Sequence, residues 1–583
     1  MRLRLCRTGG LGLAAGLTVL AAAGLAPADR ASTNMDPAWM YQKAGDFPKA
    51  TMYYHRTLRG LREVYLLFHW DNDPAGNAPG KYATEYPQIL GEMSTRFETC
   101  LAAAKLGDDA RRRMEFLDYL WLSELIDQED GGLRTACGII ASACEDHGDF
   151  RMGCHLRGGE VRFCRVVAAP FHARSAKELE AWGMSDLAGA SRLAAAAYEA
   201  RAQRAERLAR GGAVLRTLSG LNGFDRYLMD IRFHPKKPSP VSFQGLHLRL
   251  FAKDGTPKGP PRADVVAALR REGMAHADED ARFTALSVLA RLDEREAVKA
   301  ALADASPVIR KAAAEALAAM RWAEGWAACQ AHTDAAVRAA VAPRLAPAGK
   351  DPLAATFVIS ELIGGMGSES TPTRAFCQSA LEKVTGRRML PEQWAAWWKT
   401  LGDARCGLKR KGPDGSDQID ETIDFGVWWQ SLYMLAPNPL TEYTPPTTVR
   451  WEGRLVVPRA GPYRFYARNC GEAKTGRNSV KTPGRMGFPG LYLSGPSARV
   501  SVDGKGVLPQ KQDVVQDPWG GMRLDFSGPV QLTEGLHPIV VEFDYRSAIK
   551  GFLLRTQPCL RLYWSAEGRP REVIPAEFFV TKE

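Results

Sequence analysis

The chain has 583 residues, room for three to five domains at roughly 100–200 residues each. Hydrophobic residues make up 45% and charged residues 25%, which excludes a disordered or fibrous chain and fits an ordinary globular one. A formal charge of +11 raises nucleic acid as a partner, and 11 cysteines are too few for a disulfide miniprotein.

Arg2, Arg4 and Arg7 precede an apolar run from Leu11 to Leu25, and Ala26-Pro27-Ala28 supplies a small-x-small cleavage pattern. Residues 1–28 therefore read as an export signal, because the run is short of the roughly 20 residues that span a bilayer. Cleavage removes three arginines and leaves 11 − 3 = +8, with no later transmembrane segment and ten cysteines in a setting where disulfides persist. A secreted or periplasmic location argues against nucleic acid, as does the scatter of the basic residues.

Residues 36–218 read as a helical domain. Leu58, Leu61, Val64, Tyr65 and Phe68 recur at helical spacing, as do Met114, Leu117, Leu120 and Leu125. Cys137, Cys144, Cys154 and Cys164 lie close together at gaps unlike those of a zinc site, so disulfides are expected among them, in any of three pairings. Residues 219–262 form a connector with short strands. From 263 to 402, Arg282, Arg310 and Arg338 recur at 28-residue intervals, with Ala285, Ala313 and Val341 three residues later. Asp304 and Asp334 precede the second and third arginines, and a weaker unit surrounds Ala354–Leu362. This pattern resembles HEAT-like repeats, which implies an α-solenoid. Trp394, Trp397 and Trp398 share one helical face and read as the closing core of that stack.

Residues 403–424, with Lys409-Arg410-Lys411-Gly412-Pro413-Asp414-Gly415, read as a charged linker. Beyond it the pattern is short strands and Gly/Pro turns. Val449-Arg450-Trp451-Glu452-Gly453, Gly461-Pro462-Tyr463-Arg464-Phe465, Val502-Asp503-Gly504, Thr533-Glu534-Gly535 and Leu560-Arg561-Leu562-Tyr563-Trp564 follow in order. This series resembles the protective-antigen-type (PA-fourteen) domain over residues 425–583, which implies an all-β sandwich. Tyr463 and Phe465 alternate with Arg464, so one face of that strand is expected to be buried.

Sugar-binding members of that family hold calcium through adjacent aspartates after the Tyr-x-Phe strand. Here that stretch is Tyr466-Ala467-Arg468-Asn469-Cys470-Gly471, without an acidic pair, so no cofactor is expected and calcium is doubtful. The family match instead offers Asn469 and Asp503 as ligand-binding candidates. The insert that follows adds Arg477, Arg485 and Tyr492, in basic and aromatic surroundings. Asp503 has the alternative role of ordering its turn, and the insert that of a solvated loop. Cys470 and Cys559, the two cysteines of this domain, are expected to pair.

No HExxH or GxSxG occurs, and no catalytic residue is assigned. The N-terminal helices, through Tyr53-Tyr54 and Tyr86-Pro87-Gln88-Ile89-Leu90, are similar to the helical region of some bacterial glycoside-hydrolase-like proteins. The expected function is thus an exported binding or adaptor protein with a carbohydrate or envelope-glycan ligand and a protein partner on the repeats. The alternatives are an enzyme or accessory subunit of polysaccharide degradation and a purely structural surface protein.

Overall fold

A computed structural model describes residues 38–68, 81–127, 136–218, 262–348, 351–402, 404–412, 415–425, 447–470, 474–475, 491–492, 498–508, 514–516, 523–545 and 559–581. The expected export signal and nearly all of the connector lie outside these residues. The described part is a long helical region followed by an antiparallel β region.

The first helices are α1 (Phe47–Phe68), α2 (Lys81–Ala103), α3 (Asp108–Asp127), α4 (Ala136–Asp146), α5 (Phe150–Phe163), α6 (Ala169–Ala181) and α7 (Ser185–Leu215). Tyr54, Leu58, Leu61, Met93, Phe97 and Leu101 close α1 onto α2 at the spacing that the sequence predicts. The second set is α8 (Arg262–Ala268), α9 (Glu279–Arg291), α10 (Arg295–Ala300), α11 (Pro307–Ala319), α12 (Ala323–Ala331), α13 (Ala335–Val341), α14 (Thr356–Gly365), α15 (Thr371–Thr385) and α16 (Gln393–Thr400).

The two sets share one apolar core, which runs from Phe150 and Leu215 through Leu289, Leu317, Trp326 and Ile359 to Trp394. They meet where α7 crosses α9. A Cβ on Gly211 would lie 1.9 Å from Asp280 O, so only glycine permits that approach. Arg207 and Arg210 both donate through Nε to the Asp280 carboxylate at 2.6 Å. The expected disulfides are absent among Cys144, Cys154 and Cys164, which are free thiols; Cys137 lies outside the described side chains. Burial pushes the Cys154 thiol up to about 12 and Cys164 to about 11, so both stay protonated and unreactive. Cys154 donates instead to Ala209 O on α7 at 3.1 Å.

The β region has two main sheets, both antiparallel. One runs β1 (Arg405–Cys406), β17 (Phe579–Thr581), β5 (Thr447–Val457), β14 (Gly535–Tyr545), β9 (Ala498–Val502), β10 (Lys505–Leu508), with β2 (Leu408–Lys411) on β5 and β3 (Asp417–Asp420) on β2. The other runs β11 (Val514–Gln516), β12 (Arg523–Phe526), β6 (Gly461–Cys470), β15 (Cys559–Ala566), β16 (Arg569–Val573), with β13 (Val530–Leu532) on β6 and β4 (Asp424–Phe425) on β15. Trp451, Leu455 and Val541 from the first sheet and Phe465, Leu562 and Trp564 from the second form a common core.

The charged stretch expected as a linker is instead part of the first sheet. Leu408 and Arg410 point inward and are buried, while Lys409 pairs with Asp417 and Lys411 with Glu452, each at 2.7 Å. Period-2 alternation of Leu and Arg between lysines turns this run into a strand, and cross-strand charge pairs hold it.

The second sheet is also buried on its outer face. Tyr466, Leu524, Phe526 and Tyr563 pack against Leu120, Phe163, Val167 and Phe171 of the first helices. Arg464, which alternation alone places outward, is no solvated residue: its Nε donates to Asp186 at the start of α7 at 2.7 Å.

Candidate binding surfaces

The 28-residue period has a concrete basis in the loops that open α9, α11 and α13. Asp278, Ser306 and Asp334 are N-caps, whose side chains accept from Ala281, Val308 and Ala336 N–H. Four residues later each arginine folds back over its own loop. Arg282 Nη1 donates to His276 O and Ala277 O, Arg310 Nη1 to Asp304 O and Ala305 O, and Arg338 Nη1 to His332 O and Thr333 O. The side chain two residues before each cap, His276, Asp304 or His332, accepts the cap's own N–H at 2.8–3.0 Å.

The remaining edge of the guanidinium reaches the next loop. Arg282 grips Asp304 at 2.9 and 3.2 Å, and Arg310 grips Asp334 at 2.9 and 3.2 Å. The hydrogen bond from Arg310, with help from Ala336 N–H, holds the Asp334 carboxyl below the usual carboxylate range.

A fourth copy exists, at α15. Ser370 is the cap, Ser368 accepts its N–H, and Arg374 Nη1 donates to Ser368 O and Glu369 O at 2.7 and 2.9 Å. Spacing did not reveal it, because Arg374 follows Arg338 by 36 residues instead of 28. The signal was a cap residue four positions before an arginine; the weaker unit expected at Ala354–Leu362 is the α14 helix before it.

The outer helices of the first two units leave an open groove of about 780 Å³, floored by Ala263, Val266 and Ala267 and rimmed by Arg270, Arg271 and Glu294. Arg270 and Glu294 pair across it at 2.5 Å.

Two ligand-binding candidates of the β region, Asp503 and Asn469, lie at opposite ends of the sheets. Asp503 occupies the β9–β10 turn with φ +53°, and its N–H donates to Pro538 O at 2.9 Å. Its carboxylate lies 2.7 Å from His537 Nδ1, and His537 Nε2 lies 2.8 Å from Thr533 O. Asp503 thus ties two turns together at the end of the sheets that also carries the 458–460 turn. Asn469 sits near the other end of β6, eight residues from Gly461 and opposite Leu560 and Arg523. At about 3.4 Å per residue that is about 27 Å away.

Tyr492 is in the short strand β8 (Leu491–Tyr492), its backbone opposite Lys474 in β7 (Lys474–Thr475), a ladder that joins neither main sheet. The side chains of Asn469 and Tyr492, and all of Arg477 and Arg485, lie outside the described residues. Among the described residues no group of three or more His, Cys, Asp or Glu side chains is placed to hold a metal ion.

The strand ends are polarised. Phe425, Thr447, Cys470, Ala498, Gln516, Arg523, Tyr545 and Cys559 mark one end of the two sheets, as the pairings Thr447↔Tyr545, Ala498↔Phe543, Asn469↔Arg523, Cys470↔Cys559 and Phe425↔Leu560 fix. From these ends depart the sequence stretches 426–446, 471–497, 517–522 and 546–558, whereas the opposite end has tight turns at 458–460, 503–504, 533–534 and 567–568.

No family model matches the chain, and no curated protein matches it. A solved structure of an anti-sigma factor domain-containing protein overlaps 30% of this chain at 17% identity with a TM-score of 0.20. The chain spans 48% of that protein's length, and a likeness this slight carries no argument about fold or function.

Proposed function

We propose that the protein is an exported, non-catalytic adaptor of the bacterial envelope. In this reading a PA-fourteen-type sandwich binds an acidic glycan, and a HEAT-like solenoid binds a protein partner. The polarity of the strand ends carries the proposal. Asn469 lies at the end of β6 from which residues 471–497 depart, and that stretch contains Arg477, Arg485 and Tyr492. Asp503, committed to its turn at the opposite end, is left out of the contact set.

The test is titration of the chain without residues 1–28 against polygalacturonate and dextran. Expected is binding to the acidic polymer that weakens about tenfold in Arg477→Ala/Arg485→Ala and falls with salt, as exposed charges dictate. Chelation of calcium leaves it unchanged, because the acidic pair is missing. Binding to neither polymer overturns the glycan reading, and steady release of reducing sugar replaces it with polysaccharide degradation.

Cys470 and Cys559 stand directly opposite each other in the β6–β15 register. Opposed residues of antiparallel strands have Cα atoms about 4.5–5.5 Å apart, within the roughly 4.4–6.8 Å that a disulfide spans. Protein recovered from an oxidising compartment is expected to yield the linked peptide pair, split by dithiothreitol. Complete alkylation of both cysteines without reductant removes the bond from the proposal.

A further inference from the structure

The arginine ladder ends on an unanswered rung. Arg282 and Arg310 are each fixed by Nη1 to two loop carbonyls, and each turns the edge formed by Nε and Nη2 toward an aspartate of the following loop. Arg338 is fixed in the same way, at 2.7 Å to both His332 O and Thr333 O. No carboxylate of a described residue meets its Nε–Nη2 edge.

The cause is a change in the stack. Helix α15, which carries the next copy of the loop, packs chiefly on α12 and α14, where the earlier pattern would set it on α13. Neither its cap, Ser370, nor the residue two before it, Ser368, is an aspartate, and its own arginine, Arg374, spends Nη2 on Thr371 Oγ1 at 3.0 Å. Arg338 is half-buried, so its guanidinium is oriented before any partner arrives.

We propose that Arg338 is a carboxylate socket for a protein partner, which supplies an Asp or Glu where the next repeat would have supplied its aspartate. The class of ligand follows from the two filled rungs, where the same edge of the same side chain holds a carboxylate with two hydrogen bonds. This site deepens the protein-binding half of the adaptor reading and rests on it, but it is independent of the glycan-binding rim.

Phenylglyoxal, which needs two free guanidinium nitrogens, reads the socket out residue by residue in peptide mass maps of the full chain. Arg338 is expected to react about tenfold faster than Arg310, whose edge is occupied. A millimolar tetraglutamate peptide slows Arg338 by about threefold or more, while tetraglutamine and chloride of equal ionic strength do not. In Asp334→Asn, Arg310 rises to the rate of Arg338. Equal rates for Arg338 and Arg310 in the parent chain, or equal protection by chloride, overturn the proposal. Neither result touches the glycan reading, which the polysaccharide titration judges alone.

Discussion

Arg157→Met lowers the stability of the helical region by about 3 kcal/mol, the lower end for breaking a buried ion pair, because Glu145 and Glu160 lose their most buried counter-ion and keep only Arg291 and Arg201. Arg157 Nε and Nη2 donate to Glu145 at 2.9 Å each, Nη1 donates to Glu160 at 2.6 Å and Nη2 also reaches Ser142 Oγ at 2.8 Å. Only 6% of the arginine side chain is exposed, with 2% of Glu145 and 6% of Glu160. The network extends outward through Arg201 to α7 and through Arg291 to α9, so its loss loosens the joint between the two helical sets as well.

The same network makes stability depend on pH. Burial, the largest influence, pushes the Glu160 carboxyl up, but the charges and hydrogen bonds of Arg157 and Arg201 outweigh it and hold the group below its usual value. A depressed carboxylate contributes stability that is present above its unfolded value of about 4.3 and disappears as pH falls through the folded value. Urea unfolding followed by circular dichroism should therefore show acid sensitivity below about pH 4 that shrinks in Arg157→Met. Adding Glu145→Gln and Glu160→Gln to Arg157→Met should recover part of the loss, since no buried carboxylate is then short of a counter-ion and the remaining cations, Arg201 and Arg291, are partly exposed. An unchanged unfolding midpoint in the single variant would falsify this account.

Leu524→Ala is expected to cost about 2–5 kcal/mol, and to do so at the seam between helices and sheet. Leu524 is fully buried on the outer face of β12, beside Phe526 and Tyr466 and against the first helices. Removing it opens a cavity in that seam without touching Trp564 or Phe465, which belong to the core between the sheets. Limited proteolysis should then release the β region earlier than in the parent chain, while the tryptophan signal of the inter-sheet core persists. Loss of both together would mean that the helices and the sheets unfold as one unit.

Much of this architecture is legible in the residues. The helical spacing of Leu58 and Leu61, the 28-residue recurrence of the arginines and the alternation in Tyr463-Arg464-Phe465 each follow from local periodicity, which packing preserves. Partner choice is what sequence hides. Alternation sets Arg464 on the face opposite Tyr463 and Phe465, but it does not show that a helix 278 positions earlier supplies Asp186. Lys409-Arg410-Lys411 reads as a linker because charge density is its loudest feature, and only the strand pairing with β5 reveals the alternation within it. The cysteine cluster gathers in sequence, yet Cys144, Cys154 and Cys164 are free thiols and Cys154 donates to the backbone of α7.

The candidate ligand residues show the same division. Asp503 and Asn469 read from the sequence as one ligand set, yet the length of β6 puts them at opposite ends. A period alone misses the fourth arginine, Arg374, because the unit is defined by a cap and its back-folded guanidinium.

A sheet covered on both faces alters what counts as a transferable piece of this protein. Cut away at residue 403, the β region would display Tyr466, Leu524, Phe526 and Tyr563 as a contiguous apolar surface, the kind that drives self-association. Gene rearrangement that moved those strands into another chain would have to carry the first helices along or replace each of these side chains. A force applied to these strands would likewise pass to the helices through packed side chains instead of a slack tether.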